Sequence, residues 1–310
     1  MSRILTVFGA TGTQGGSVIR AVLADAALSA EFKIRGISRN ASQPSAQALA
    51  EKGVEVKEAD MGSKASISEA IKGSHTVFLV TTPSFTTQES LELVHGKNVA
   101  DVAKEQGVEH LIYSSLLNVT NETNGRLKHV AHFDMKADVE QYIRSKGIPS
   151  TFVLPGYFMT NYSAFQMLRK GADGVYNLTY PVSDKAKFPL FDAGADTGKY
   201  VVAAIKNRSK VLGKQILAAA DYYTPTRILS EFEKTTGNKA TFTPVDSEAY
   251  TNFFPSPMGK EMLENHLFIE EPGYYAGRSL EESRELLEGV GLKPTTWEEF
   301  LVKNKDFFKS

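Results

Sequence analysis

Through the first half of the chain, short runs of apolar and β-branched residues alternate with longer stretches whose apolar positions recur at helical spacing. Ile4 to Phe8 has the length and composition of a buried strand, and Ser17 to Leu28 follows as an amphipathic helix. Further strands are predicted at Phe32 to Ser38, Val54 to Lys57, Thr76 to Val80, Leu111 to Ser114 and Thr151 to Leu154. Between the fourth and fifth lies a long helix, Thr87 to Gln106, with Leu91, Val94, Val99, Val102 and Ala103 as its apolar stripe. Such alternation predicts an α/β fold, a doubly wound parallel sheet with helices on both faces. Ligands of such sheets bind beyond the carboxyl ends of the strands.

After Gly156 aromatics and prolines multiply and the alternation stops. Strand-like runs at Lys187 to Phe191, Gln215 to Ala218 and Ala240 to Thr243 mix with helices near Thr197 to Lys206, Pro225 to Thr236 and Leu280 to Gly289. The expected division is a nucleotide-binding domain over 1–156 and a smaller α/β lobe over 157–310, some of whose segments return to pack on the first. The lobe's aromatics either close a pocket over a ligand or form core.

Three glycines, Gly9-x-x-Gly12-x-x-Gly15, fall where the first strand turns into the first helix. Lack of a Cβ there permits a tight reversal and brings main-chain N–H groups close to a pyrophosphate, whose charge suits the positive end of the helix. The second strand ends in Ser38-Arg39-Asn40, and no Asp or Glu occurs between Arg35 and Ala50. A guanidinium in that place can pair with a 2′-phosphate, whereas a carboxylate would repel it. NADP(H) is therefore expected over NAD(H), with Arg39 as the main phosphate partner and Ser38 or Asn40 assisting. Asp60-Met61 follows the third strand and Thr81-Thr82-Pro83-Ser84-Phe85 the fourth; they either flank the adenosine and phosphates or serve as caps and turns. Ser114-Ser115 and Pro155-Gly156-Tyr157-Phe158 follow the fifth and sixth.

Many dehydrogenases of this fold place a proton-donating tyrosine four residues before a lysine on the helix after the fifth strand. Tyr142-x-x-x-Lys146 matches that spacing. Lys136, however, lies near the start of the helix, and ten further residues carry Lys146 about 15 Å away, to the wrong edge of the sheet. Lys136 is thus the candidate to reach a nicotinamide ribose or a substrate carbonyl, and the residue one turn before it is His132, either a proton relay or a structural group. His129, His132 and Asp134 do not make a metal site, because positions 132 and 134 face different sides of a helix.

Charge narrows the partners. Lys and Arg number 35 against 36 Asp and Glu in 310 residues, so no global field favours nucleic acid or an anionic membrane. There is no cysteine, hence no disulfide, thiol nucleophile or thiolate metal site. No apolar run approaches the ~20 residues of a membrane span, and Met1-Ser2-Arg3 leads directly into a strand. A cytoplasmic protein with possible nuclear access, monomer or homodimer, is expected.

Gly9-Ala10-Thr11-Gly12-Thr13-Gln14-Gly15-Gly16-Ser17-Val18, Ser38-Arg39-Asn40, His132-Phe133-Asp134-Met135-Lys136 and Leu154-Pro155-Gly156-Tyr157-Phe158-Met159-Thr160-Asn161 together resemble the NmrA-like family of atypical short-chain dehydrogenase/reductases. The resemblance implies an NAD(P)-binding Rossmann domain with a small α/β lobe and a dinucleotide in the cleft between them. Gly9, Thr11, Gly12, Thr13, Gln14 and Gly15 would meet the phosphates and Arg39 the 2′-phosphate. Lys136 would meet the nicotinamide ribose, Tyr157 and Phe158 would line the cleft, and Ser115 would join them. The family holds proteins that sense NADPH/NADP⁺ and regulate transcription through a protein partner. It also holds NADPH-dependent oxidoreductases of quinones, carbonyls or enones. Absence of the tyrosine before Lys136 favours the sensor; the alternative is a reductase acting through Lys136.

Overall fold

The computed structural model describes residues 2–83 and 91–308. The chain begins β1 (Arg3–Val7), α1 (Thr13–Ala24), α2 (Ala26–Glu31), β2 (Phe32–Ser38), α3 (Pro44–Ala50), β3 (Glu55–Glu58) and α4 (Lys64–Ile71). It continues β4 (Thr76–Leu79), α5 (Leu91–Glu105), β5 (His110–Ser114), α6 (Val119–Glu122), α7 (Ala131–Ser145) and β6 (Ser150–Pro155). Then come β7 (Tyr157–Phe158), α8 (Asn161–Ala164), β8 (Leu168–Lys170), β9 (Tyr176–Tyr180), β10 (Phe188–Phe191), α9 (Ala193–Lys206), α10 (Arg208–Val211) and β11 (Gln215–Ala218). Last are β12 (Asp221–Tyr223), α11 (Pro225–Thr236), β13 (Ala240–Pro244), α12 (Ser247–Thr251), α13 (Met258–Glu270), α14 (Glu281–Glu288) and α15 (Trp297–Lys303). None of the described helices is long and apolar enough to cross a membrane.

Seven parallel strands form the main sheet in the order β11-β6-β5-β4-β1-β2-β3. Central strands β4, β5 and β6 are buried at every position, as expected for a sheet covered on both faces, while β3, at the edge, exposes Glu55, Lys57 and Glu58. Helices α4, α5 and α7 cover one face, and α1, α9 and α14 the other. Strand order reverses between β1 and β4, so the crevice beyond their carboxyl ends is the place where this topology takes a ligand.

Two local expectations change. The helix expected over Ser17 to Leu28 starts earlier, at Thr13, and breaks at Asp25, whose side chain accepts from Leu28 N (3.0 Å) and caps α2. In α5, Val99, Val102 and Ala103 are buried, but Leu91 and Val94 are exposed. Residues 87–90 of that expected helix, with Ser84 and Phe85, lie outside the described residues. Two segments of the second half pack with the first: Ile216 of β11 pairs with Val153 of β6, and α9 packs along α1. What remains beyond Gly156 is two three-stranded sheets, β12-β10-β7 and β13-β9-β8, with helices packed around them.

Helices α1 and α9 meet almost backbone to backbone. Gly198 N donates to Ser17 Oγ (3.0 Å), and a Cβ on Gly198 would lie 2.3 Å from Ser17 O and 2.5 Å from Ala21 Cβ. On the other face, Tyr142 and Lys146 bind Asp101 of α5 (2.8 and 3.1 Å) with Lys64 (2.7 Å). That Tyr-x-x-x-Lys spacing is a surface clasp far from the strand ends. Partial burial works to raise the Asp101 pKa, but hydrogen bonds from Lys64, Tyr142 and Lys146 outweigh it and pull it down to about 2.

Two outcomes follow from these contacts. Gly198→Ala gains about 1 kcal/mol of helix propensity against about 3 kcal/mol of overpacking, so urea unfolding should register a net loss of about 2 kcal/mol; an unchanged midpoint would show that the helices can part freely. Because the folded pKa of Asp101 is depressed, its contribution is complete above the ordinary value of 3.8 and is lost as pH falls through about 2. Asp101→Asn should therefore flatten the stability profile across that interval, as read by thermal melts.

Candidate functional site

At the end of β1 the chain turns through Gly9, whose φ of +64° lies in the left-handed region. Gly12 N closes the turn on Gly9 O (2.9 Å), and Ala10 N reaches Ile37 O (3.3 Å). Helix α1 then rests on this loop. A Cβ on Gly15 would stand 2.2 Å from Gly9 O and 2.9 Å from Phe8 O, so no other residue fits without displacing the backbone. The N-cap, Gly12, brings no side chain to the first N–H groups, and the first turn contains no acidic residue. An uncapped helix start beside a glycine loop presents donors and a positive dipole end to an anion.

This loop forms one wall of a cavity of about 570 Å³. Thr11, Gly12, Thr13, Gln14 and Gly15 line it together with Ser38 and Arg39 from β2 and its turn, Asp60 and Met61 after β3, and Thr82 and Pro83 after β4. Phe158 closes it from the second lobe. The volume suits a cofactor-sized ligand. A cavity of about 530 Å³ at the start of β11, between α10 and α14, lies away from the strand carboxyl ends and gathers none of these residues.

The turn after β2 explains how Arg39 is presented. Ser38 Oγ donates to Asn40 O (2.9 Å) and accepts from Asn40 N (3.2 Å), while Asn40 Oδ1 takes Ser42 N and Oγ. Asn40 thus shapes the turn instead of lining the cavity. Arg39 is exposed at the cavity edge, and among the described residues nothing engages its guanidinium. Asp60 Oδ1 accepts from Gly62 N (2.8 Å) and so both closes its own turn and lines the cavity. Gln14, through Oε1, accepts from Ser114 Oγ (2.8 Å), joining α1 to the end of β5.

Besides Asn40, four expected residues face elsewhere. Lys136 is buried at 6 % exposure, and its Nζ donates to Thr81 O (2.9 Å), Thr81 Oγ1 (3.1 Å) and Glu92 Oε1 (2.5 Å), which uses all three of its protons. Burial lowers the Lys136 pKa, and the Glu92 carboxylate opposes that shift. His132 pairs through Nδ1 with Glu261 of α13 (2.5 Å), and its backbone N donates to the same oxygen (3.0 Å). Burial of Glu261 acts to raise its pKa, but these bonds hold it below the usual carboxylate range. Ser115 turns its hydroxyl to Glu140 (2.6 Å). Tyr157 lies edge-on to Phe188 and meets the Tyr180 hydroxyl at 3.0 Å, with burial pushing its pKa up to about 12. Adjacent residues of β7 point to opposite faces, so Phe158 takes the cavity and Tyr157 the lobe interior.

Several participants carried no local signal. Leu91 and His95, one helical turn apart on α5, line the cavity, and Phe8, Ile37, Ala59 and Val80 from the strand ends line it too. Glu92, Thr81 and Tyr113 assemble behind the cavity wall, where the Thr81 hydroxyl donates to Glu92 Oε1 (2.6 Å) and lies 3.0 Å from the Tyr113 hydroxyl. Only the i, i+4 spacing of Leu91 and His95 could have pointed to them.

The NmrA-like family model matches residues 1–301. An NmrA-like family domain-containing protein of Dictyostelium discoideum is 29 % identical over 98 % of both chains. The NmrA-like family domain-containing oxidoreductase malD of Malbranchea aurantiaca is 32 % identical, over 77 % of this chain and 75 % of its own. Among solved structures, NmrA, a negative transcriptional regulator, superposes with a TM-score of 0.80 in complex with NADP and 0.81 with NAD. Each is 22 % identical and covers 98 % of this chain and 95 % of its own. The NADPH-dependent quinone oxidoreductase QOR2 of Escherichia coli, complexed with NADPH, gives 0.77 at 24 % identity over 96 % and 99 %. With its family model matched from the first residue almost to the last and its seven-stranded sheet shared with these structures, the chain belongs to the NmrA-like family.

Proposed function

We propose that this protein binds NADP(H) in the cleft beyond β1 and β4 and that a protein partner reads its occupancy. The observation that carries the cofactor choice is Arg39, an exposed guanidinium at the cavity edge with no partner among the described residues. A phosphate on the adenosine ribose would give it a bidentate, charge-assisted partner. The residues present fit a dinucleotide: Gly15 lets the start of α1 settle on the Gly9 carbonyl at the cavity wall, and the uncapped N–H groups of that first turn would balance the charge of a pyrophosphate. Asp60 and Met61, which line the same cavity as Arg39, would flank the adenosine, and Phe158 with His95 would wall the remainder.

When bound, NADPH supplies a hydride at its nicotinamide. The chain's own groups support retention over proton delivery, because the Lys136 ammonium and His132 Nδ1 are already given to Thr81, Glu92 and Glu261. A ligand that prefers one arrangement of the cleft shifts the population toward it, and a partner that prefers the same arrangement then binds more tightly. A second function, NADPH-dependent reduction of a quinone, carbonyl or enone, is favoured by the names of malD and QOR2. It requires Lys136 to leave Thr81 and Glu92 and polarise the acceptor.

Arg39→Ala should weaken NADPH binding by about tenfold to a hundredfold, the loss of a hydrogen-bonded charge pair, and leave NADH binding unchanged; calorimetry that finds NADPH affinity intact would overturn the cofactor choice. Incubation with NADPH and a panel of quinones, aldehydes and enones separates the two functions. Tight binding without turnover is expected. Robust turnover abolished by Lys136→Ala would establish the reductase instead.

A further inference from the structure

Glu92 neither lines the cavity nor belongs to any motif that marked the site, yet it is fully buried beside it. Its Oε1 collects two donors, Lys136 Nζ and Thr81 Oγ1, while Oε2 is buried with no hydrogen-bond partner among the described residues. One ammonium therefore compensates one carboxylate, and the geometry is asymmetric about it. Lys136 in turn holds Thr81 O, a carbonyl two residues past the end of β4, where the strand ladder no longer supplies a partner. The next two residues, Thr82 and Pro83, are cavity wall.

We infer that Glu92 is the positioning residue of the cofactor cleft: it keeps the Lys136 ammonium behind Thr81, and through that anchor it sets the wall formed by Thr82 and Pro83. The inference rests on the dinucleotide assignment of the cleft. Lys136 acts here as a strut with its donors facing inward, and its influence on the ligand passes through the backbone at 81–83. Stripped of the Glu92 charge, an ammonium buried at this depth loses the attraction that offsets its desolvation, and its pKa falls further. The other ionisable neighbours are already engaged. Tyr113 of β5 is held neutral by burial and meets the Thr81 hydroxyl. On α7 itself, Glu140 is paired with Arg144 and His132 with Glu261. His95 and Asp60 line the cavity directly.

The test titrates NADPH by calorimetry from pH 7 to 9 into the full chain and into Glu92→Gln and Lys136→Met. Relative to the unmodified protein, Glu92→Gln should bind about tenfold more weakly at the alkaline end and lose less affinity as the pH falls, because acid favours the charged Lys136 strut. Lys136→Met should be weak at every pH. Glu92→Gln binding as tightly as the unmodified chain or more so throughout, as a lysine freed to touch the ligand would produce, overturns the inference. So does a pH dependence that persists in Lys136→Met, since the titrating group would then lie elsewhere. Should Glu92→Gln not fold, the double variant Glu92→Leu with Lys136→Met removes both charges. A folded double variant about tenfold looser supports the strut, and one of undiminished affinity refutes it. No uptake by the unmodified chain would overturn the cleft assignment itself, a failure distinct from all of these.

Discussion

The first turn of α1 rests on the carbonyl of Gly9 because Gly15 has no side chain to hold it off. From that contact the direction of the helix axis follows, and with it the place where unpaired N–H groups and a positive dipole end converge. The strand order of the sheet reverses at the same spot, between β1 and β4, which leaves the crevice open. The opposite side of α1 is fixed with equal tolerance: Gly198 of α9 admits the Ser17 backbone at a distance no Cβ allows. A helix pinned by glycine contacts on two sides has little freedom to slide or roll, and that rigidity keeps the N–H cluster aimed into the cavity.

The parts of the site that a reader of the sequence can find are those whose requirement is local. A strand, three glycines and a helix form one continuous stretch, and Arg39 follows its strand directly, so spacing alone places them. Lys136 is different. Where its ammonium goes depends on Glu92, 44 residues earlier, and on a carbonyl past the end of β4, and neither is encoded near position 136. Tyr157 and Phe158 depend on parity in a strand of two residues, too short for alternation to reveal which face is which. Ser115 likewise follows the strand, but its hydroxyl points to Glu140 on the helix behind. The fold class was legible from periodicity, and so was a return of second-half segments to the first domain, whereas the identity of those segments, α9 and β11, was not. Those segments look like any others in the second half, and only the open edge of β6 gives β11 its place.

The α5–α7 face shows how one spacing can serve unlike ends. Tyr142 and Lys146 reproduce the four-residue step of a catalytic pair, but at the far end of their helix they meet Asp101 and Lys64 and hold two helices together. Near the start of the same helix, His132 and His129 take Glu261 and Glu264 from α13, tying the second lobe to the first. Position along α7, measured from the strand ends, separates the two cases where residue type does not.

The split of β7 bears on how the two lobes communicate. One residue of that strand abuts whatever fills the cavity, and its chain neighbour is locked among the rings of Phe188, Tyr162 and His266. Their Cα atoms are about 3.8 Å apart, the span of a single trans peptide unit. A ligand that touches Phe158 therefore stands one peptide unit from the packed rings of the second lobe.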